Sequence, residues 1–285
     1  MSTADIYSNP VIFADYSDPD VVRAGNGYYM TASSFNYTPG LPILYSTDLV
    51  HWTHIGYALK ALGPGFEEPR HSEGVWAPSI RYINDMFYIY YGMPDEGLYV
   101  VRGRLRADLP ADVSVLESAG HDASVETAGS YICNYGLDLR APGLEGASVI
   151  WDKPVRVLKG KGLIDPCPVV CDDGRIYLIH AYAKSRIGFK SMLGIVELDA
   201  DGLHCISEDR IIFNGNIADA SGREDVALKY KYPADTAPDE CSRPAITIEG
   251  PKVYIRNGYY YILAPAGGVR YGWQLALKSK DLHGP

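Results

Sequence analysis

Three acidic residues stand at the start of similar segments of the chain: Asp18, Asp165 and Glu249, each within two residues of a proline. Hydrolysis of a glycosidic bond with inversion needs an acid that protonates the leaving oxygen and a base that deprotonates a water on the opposite face. A third carboxylate beside the acid raises the pKa of the acid by like-charge repulsion. Three acidic residues in one site therefore match base, modulator and acid, although clustered carboxylates also hold calcium.

A fourfold repeat indicates where these acidic residues lie. Each repeat has a head with a proline, a short apolar stretch, a turn and a tyrosine-rich strand. The turns are Gly25-Asn26, Asn84-Asp85, Asp173-Gly174 and Asn257-Gly258. Residues of these types favour tight hairpins because they tolerate positive φ. The heads are Asp18, Trp76, Asp165 and Glu249, each eleven or twelve residues before a tyrosine of the second strand.

A third strand follows in each repeat, starting near Ile43, Gly97, Leu193 and Gln274. Antiparallel meanders of three or four strands are typical of β-propeller blades. Because the first strand of a blade lies innermost, we expect the four heads to converge at one mouth of a central channel. The sequence predicts one all-β propeller domain over residues 1–285, with insertions at about 105–148 and 216–247.

The composition of the chain limits its possible binding partners and its cellular location. The chain has 285 residues and a formal net charge of −9, which argues against nucleic acid or an anionic membrane as a partner. No apolar run is long enough to span a bilayer. No signal peptide is visible, so we expect a cytoplasmic protein, or a secreted one if the sequence is a trimmed mature form. The five cysteines fit no disulfide or zinc framework and are expected to be reduced thiols. The oligomeric state stays open.

Several segments resemble glycoside hydrolase family 43. The start of the chain does so in NPVIFADYSDPDVVR and TASSFNYTPGLPILYSTDLVHW. Later motifs that do so are GVWAPSIRY, GLIDPCPVVCDDGRIYLIHAY and IEGPKVYIRNGYYYILAPAGGV. The resemblance covers nearly the whole chain apart from the two insertions. It implies a five-bladed propeller that inverts configuration, with four blades evident in this chain and the fifth missing or incomplete.

The resemblance also implies roles for individual residues. Asp18 matches the general base, Asp165 the residue that modulates the pKa of the acid and orients it, and Glu249 the general acid. Phe35 and Trp76 match aromatic residues that line the sugar pocket. For Phe35 a core position is the alternative.

Two residues of the third repeat are candidate sugar ligands. His180 and Arg186 follow its head in the stretch HAYAKSR, and both can bond sugar hydroxyls. A purely structural role is an equal alternative for each of them.

The resemblance implies an exo-acting hydrolase in xylan degradation, a β-xylosidase, an α-L-arabinofuranosidase or both. It would release xylose or arabinose from plant hemicellulose oligosaccharides or polysaccharides. An endo-arabinanase or galactosidase of the same family and a non-catalytic carbohydrate-binding propeller stay open. A protein-interaction propeller would not need acidic residues at three heads. No cofactor or catalytic metal is expected to be required, and a structural calcium or sodium ion in the channel is an option.

Overall fold

A computed structural model describes residues 6–62, 71–105, 130–131, 147–215, 247–268 and 272–284. Most of the two predicted insertions, at about 105–148 and 216–247, lies outside the described residues. The elements described are β-strands and a short helix, α1 (Lys184–Ile187), joined by turns and loops. None of the helices that are described is long and apolar enough to cross a membrane.

The first sheet contains the first predicted repeat. Its strands are β1 (Asp20–Ala24), β2 (Gly27–Thr31), β3 (Gly40–Ser46) and β4 (Thr53–Leu59), antiparallel and in chain order. The predicted turn joins β1 to β2, and Gly25 there has a φ of 56°. Tyr29 is buried and packs edge-on against Tyr45 and Phe87, so the repeated tyrosine of this blade belongs to the core.

The second sheet contains the second repeat together with strands near its insertion. Its members are β5 (Trp76–Ile83), β6 (Met86–Met93), β7 (Gly97–Leu105), β8 (Ser130–Tyr131), β9 (Val149–Asp152) and β10 (Val155–Lys159). The order is β5-β6-β7-β9-β8, and β10 also pairs with β7. The predicted turn residues Asn84 and Asp85 have φ values of 50° and 60°, as expected for a two-residue hairpin whose turn twists with its strands.

The third and fourth sheets contain the remaining repeats. The third has β11 (Leu163–Val170), β12 (Ile176–Tyr182), β13 (Met192–Leu198) and β14 (Arg210–Asn214) in chain order. The fourth has β15 (Lys252–Arg256), β16 (Tyr259–Ala266) and β17 (Trp273–Ser279), also in chain order. All four predicted turns lie between the first and second strands of their sheets.

The all-β propeller fold and its four blades are thereby confirmed. A fifth sheet is not found among the described residues. The chain divides into two compact units, Met1–Ile89 with Val100–Val155, and Tyr90–Tyr99 with Arg156–Pro285. The assignment of residues 1–285 to a single domain stays a prediction.

Candidate active site

Asp18 lies in the first unit, two residues before β1. Its side chain is exposed, and the Ser33 hydroxyl donates to its Oδ2 at 2.6 Å. The Ser33 N–H also donates to the carbonyl of Ser17 at 2.9 Å. Ser33 therefore holds both the carboxylate of Asp18 and the backbone carbonyl of the residue before it. Among the described residues nothing donates to Oδ1 of Asp18, which leaves this oxygen able to accept a proton.

The neighbouring Asp20 has a different task. Its Oδ2 accepts hydrogen bonds from the Ile80 N–H and from Arg81 Nη1, both at 2.9 Å. These bonds join β1 to β5, and the side chains of Asp20 and Arg81 are largely buried. Of the two acidic residues in the Asp-Pro-Asp stretch, Asp20 therefore stabilises the sheet contact and Asp18 is the exposed one; the role of Asp18 as a base stays a prediction.

Phe35 and Trp76 lie side by side in the first unit. Their ring centroids are 5.9 Å apart in an edge-to-face arrangement, and both side chains are half-buried. A backbone bridge between Ser34 and Val75 holds them together, with N–H···O distances of 3.0 and 3.1 Å. A side chain at Gly74 would prevent this approach, because its Cβ would lie 2.4 Å from the Ser34 carbonyl. The predicted sugar-pocket residues thus form one aromatic pair, and their contact with sugar stays a prediction.

Asp165 and Glu249 are connected in the second unit. Asp165 is buried with 8% exposure, and the Gly250 N–H donates to its Oδ2 at 2.8 Å. Glu249 is half-buried, and its own N–H donates to the Pro265 carbonyl at 3.2 Å. The carboxylate of Asp165 therefore fixes the backbone next to Glu249, and the predicted roles of Asp165 and Glu249 in catalysis stay predictions.

The heads of the first and third blades share a rare backbone conformation. Asp18 has a φ of 51° and Asp165 a φ of 54°. This left-handed region costs a residue with a Cβ about 1–2 kcal/mol, although aspartate tolerates it better than most residues. At Asp165 the pairing of β11 with β12 also shifts register between Ile164 and Cys167. The heads of the first and third blades thus share the same left-handed φ at the aspartate itself.

His180 belongs to a polar network that ends at the partly exposed Asp209. Its side chain is fully buried; Nε2 lies 3.1 Å from Asp209 Oδ1 and Nδ1 3.3 Å from the Ala181 carbonyl. The Tyr182 hydroxyl donates to Asp209 Oδ2 at 2.6 Å. Because both ring nitrogens have protein partners, the arrangement favours the structural alternative for His180.

Arg186 lies in α1 and is paired within the second unit. Its Nε donates to Asp95 Oδ2 at 3.2 Å and its Nη1 to the Ser185 hydroxyl at 3.1 Å. Lys161 adds a second ion pair to Asp95 at 3.3 Å. These contacts favour a structural role for Arg186 as well, and sugar binding by His180 or Arg186 stays a prediction.

No group of three or more metal-ligating side chains occurs in the part of the chain that the structure describes. Cys167, Cys171 and Cys205 are not in disulfides, and Cys133 and Cys241 lie outside the described ranges. Burial raises the pKa of the Cys171 thiol, and this effect outweighs the hydrogen bond with Tyr260, which lowers the pKa. A bound calcium or sodium ion stays a prediction.

Sequence reasoning missed Ser33, which holds the Asp18 carboxylate. It also missed Asp209, the partner of His180. Ser33 is 15 residues from Asp18, and Asp209 is 29 residues from His180. No periodicity relates such pairs. The Ser-Ser pair before Phe35, within the motif TASSFNY, was the available signal for Ser33.

An all-β chain with propeller blades and acidic residues at the blade heads has the architecture of a propeller-type glycosidase. The family profile described as "Glycosyl hydrolases family 43" matches residues 7–108 and 145–285. The chain belongs to this family.

Named relatives agree with that membership. The chain is 29% identical over 281 residues to a provisionally named β-xylosidase of Xylanibacter ruminicola, covering 98% of this chain and 38% of the relative. It is 26% identical over 282 residues to a β-xylosidase of Bacillus subtilis (strain 168), covering 98% of this chain and 41% of that relative. A crystal structure of a GH43_12 protein from a capybara gut metagenome matches with a TM-score of 0.62 and 26% identity, covering 97% of this chain and 42% of that chain. The chain thus spans about two fifths of the length of these relatives.

The strained backbone at Asp18 gives a stability prediction. Replacing Asp18 by Ala should lower the free energy of unfolding by about 1–2 kcal/mol relative to Gly at the same position, because glycine adopts left-handed φ without a Cβ clash. Urea unfolding of Asp18→Ala and Asp18→Gly measures the difference. The exposed Asp201 is the control position, where the same two substitutions should not favour Gly. Equal stability of the two Asp18 variants would show that the conformation is not strained.

The His180 network gives a pH prediction. Burial opposes ionisation of Asp209, but the hydrogen bonds from His180 and Tyr182 outweigh it and hold the pKa of Asp209 below its ordinary 3.8. A lowered folded-state pKa stabilises the fold above pH 3.8, and this contribution is lost as the pH falls through the folded value. Asp209→Asn should therefore be less stable than the unsubstituted chain at neutral pH. The difference in urea unfolding free energy should shrink below pH 4 or so; a difference independent of pH would contradict the assignment.

Proposed function

We propose that the chain is an inverting glycoside hydrolase that releases xylose or arabinose from the ends of hemicellulose oligosaccharides. Its family membership and the names of its relatives support this activity. One relative, from Butyrivibrio fibrisolvens, is named a xylosidase/arabinosidase and is 25% identical over 283 residues. The observation that carries the proposal is the bond from the Gly250 N–H to the Asp165 carboxylate, because it gives a buried acidic residue a task at the Glu249 segment.

In the proposed reaction Asp18 is the base. Its Oδ2 accepts the Ser33 hydroxyl, so the carboxylate is held in one orientation. The other oxygen takes a proton from a water while that water forms a bond to the anomeric carbon. The bond from this carbon to the leaving oxygen breaks at the same time, and Glu249 donates the proton that the leaving oxygen needs. Configuration is inverted because water and leaving group stand on opposite faces.

Asp165 supports the acid in this proposal. Its Oδ2 accepts the Gly250 N–H, and a negative charge beside an acid favours the protonated form of that acid. Burial of Asp165 limits the screening of this effect by water. Asp165 therefore both orients the Glu249 segment and keeps the proton available for the leaving group.

The sugar specificity rests on the aromatic pair of Phe35 and Trp76. Aromatic rings present a flat apolar face that suits the C–H face of a sugar, and the Trp76 indole N–H is already bonded to the Ser72 carbonyl at 3.2 Å. A xylopyranose and an arabinofuranose can present their reacting groups similarly. We therefore propose that one chain can cleave both glycosides.

Nitrophenyl glycosides of xylose, arabinose and galactose test the activity. Release from the xyloside or the arabinoside is expected, and Asp18→Asn and Glu249→Gln should each lower kcat by about 10²–10⁴-fold, the usual contribution of an acid or a base. Asn and Gln are close in shape to the Asp and Glu that they replace, and Asn tolerates the left-handed φ of position 18. The exposed Glu208→Gln is the matched control and should keep full activity. No release from any glycoside would refute the hydrolase, and saturable sugar binding without turnover would favour the non-catalytic propeller.

The pH profile tests the role of Asp165. The alkaline limb of kcat reports the deprotonation of the general acid. Asp165→Asn removes the negative charge next to that acid, so this limb should move to lower pH while the acid limb, set by the base, stays in place. The measurement is kcat against pH for both chains. An unmoved alkaline limb, or equal movement of both limbs, would contradict the role.

A further inference from the structure

The segment that carries Glu249 is held at a second point, on the side opposite Gly250. Thr247 precedes Glu249 by two residues, and its N–H donates to the Ser191 hydroxyl at 2.7 Å. The Lys190 ammonium donates to Thr247 Oγ1 at 2.5 Å. Ser191 is completely buried, and its carbonyl accepts the Gly215 N–H at 2.6 Å. The two residues before β13 thus bind both the backbone and the side chain of Thr247.

Both sides of this contact have an unusual backbone. Thr247 has a φ of 59° and Ser191 a φ of 68°. For a β-branched residue such as threonine, positive φ is a true outlier. Conformations of this kind cost about 1–3 kcal/mol and persist only where the surroundings impose them. Here the Lys190 and Ser191 bonds supply that constraint, and such strain is concentrated at functional sites.

Glu249 lies between two fixed points. On one side Thr247 is bonded to Lys190 and Ser191, and Ile248 is buried. On the other side Gly250 is bonded to Asp165. The N–H of Glu249 itself is bonded to the Pro265 carbonyl. The backbone from Thr247 to Gly250 is therefore determined residue by residue, and with it the point from which the Glu249 side chain starts.

We propose that Lys190, Ser191 and Thr247 are positioning residues for the general acid, and we name these three the Thr247 clamp. The inference rests on the proposed function, because it assigns the clamp to Glu249 as the proton donor. Proton transfer requires the donor within hydrogen-bond reach of the leaving oxygen. A displacement of about 1 Å can cost 10²-fold in rate. In this proposal the bonds from Lys190 and Ser191 to Thr247 hold the Glu249 segment where its side chain can reach the leaving oxygen.

A clamp and a merely structural contact differ in one measurable way. Loss of acid positioning slows cleavage when the leaving group needs a proton and has little effect when it does not. General destabilisation slows both reactions alike. Phenyl and 2,4-dinitrophenyl glycosides of the sugar that the chain cleaves separate these cases, because dinitrophenolate leaves without protonation.

The decisive variants are Ser191→Ala and Lys190→Met. On the phenyl glycoside each should lower kcat by about 10-fold or more, with KM little changed. On the dinitrophenyl glycoside the loss should stay below about threefold. Thr247→Ser keeps the hydroxyl and should retain the phenyl activity. Thr247→Val keeps the shape, loses the acceptor for Lys190 and should match Lys190→Met.

Matched controls come from the first unit. Ser46 is buried like Ser191 and its hydroxyl accepts the N–H groups of Asp48 and Leu49. Ser46→Ala should lower the melting temperature comparably but keep the ratio of activities on the two substrates. Lys153 is exposed, and Lys153→Met should change neither stability nor activity.

The outcomes separate the clamp from the proposed function. If Glu249→Gln is selective for the leaving group but the clamp variants lose both activities equally, or behave like the controls, the clamp is refuted and the hydrolase stands. If the unsubstituted chain cleaves neither glycoside, or Glu249→Gln shows no selectivity, the proposed function fails and the clamp fails with it. If Ser191→Ala does not fold, Lys190→Met and Thr247→Val decide, since both leave the buried Ser191 bond in place.

Discussion

The hydrogen bond from the Gly250 N–H to the Asp165 carboxylate is the constraint on which the account of the second unit depends. It joins residues 85 positions apart and gives a buried carboxylate the donor it needs, since a buried charge without a partner is costly. Through it the start of β11 determines where the fourth head lies. The Thr247 contacts with Lys190 and Ser191 hold the same segment from the other side. The candidate acid is therefore held by contacts from the third blade as well as by the Pro265 carbonyl of its own sheet.

The repeat uses one left-handed φ in two different surroundings. Asp18 and Asp165 have nearly the same left-handed φ, at 51° and 54°, but their surroundings differ. Asp18 is exposed and its Oδ2 accepts the Ser33 hydroxyl, whereas Asp165 is buried and its Oδ2 accepts the Gly250 N–H next to Glu249. Environment rather than residue type divides the work of paired carboxylates. An exposed carboxylate can exchange protons with water, and a buried one is better suited to fix charge and geometry.

The sequence predicted those features that repeat along the chain. The four turns, the tyrosine-rich second strands and the positions of the heads follow from local propensity and from near-equal spacing. The fourth strands β4 and β14 were not individually predicted. The His180–Asp209 pair and the Ser191–Thr247 bond were not predictable either, because each joins segments whose separation in sequence carries no periodic signal. His180 and Arg186 show the same limit, because their residue types suit sugar binding and the contacts with Asp209 and Asp95 that favour a structural role are seen only in the fold.

The direct test of the account is the anomeric configuration of the sugar when it is first released, followed by ¹H NMR during the early part of the reaction. With Asp18 as a base that activates water, cleavage of a β-xyloside must give α-xylose first, and the β-anomer must appear later by mutarotation. β-Xylose as the first product would contradict the account, because it would mean that a carboxylate attacks the sugar as a nucleophile and that Asp18 is not a general base.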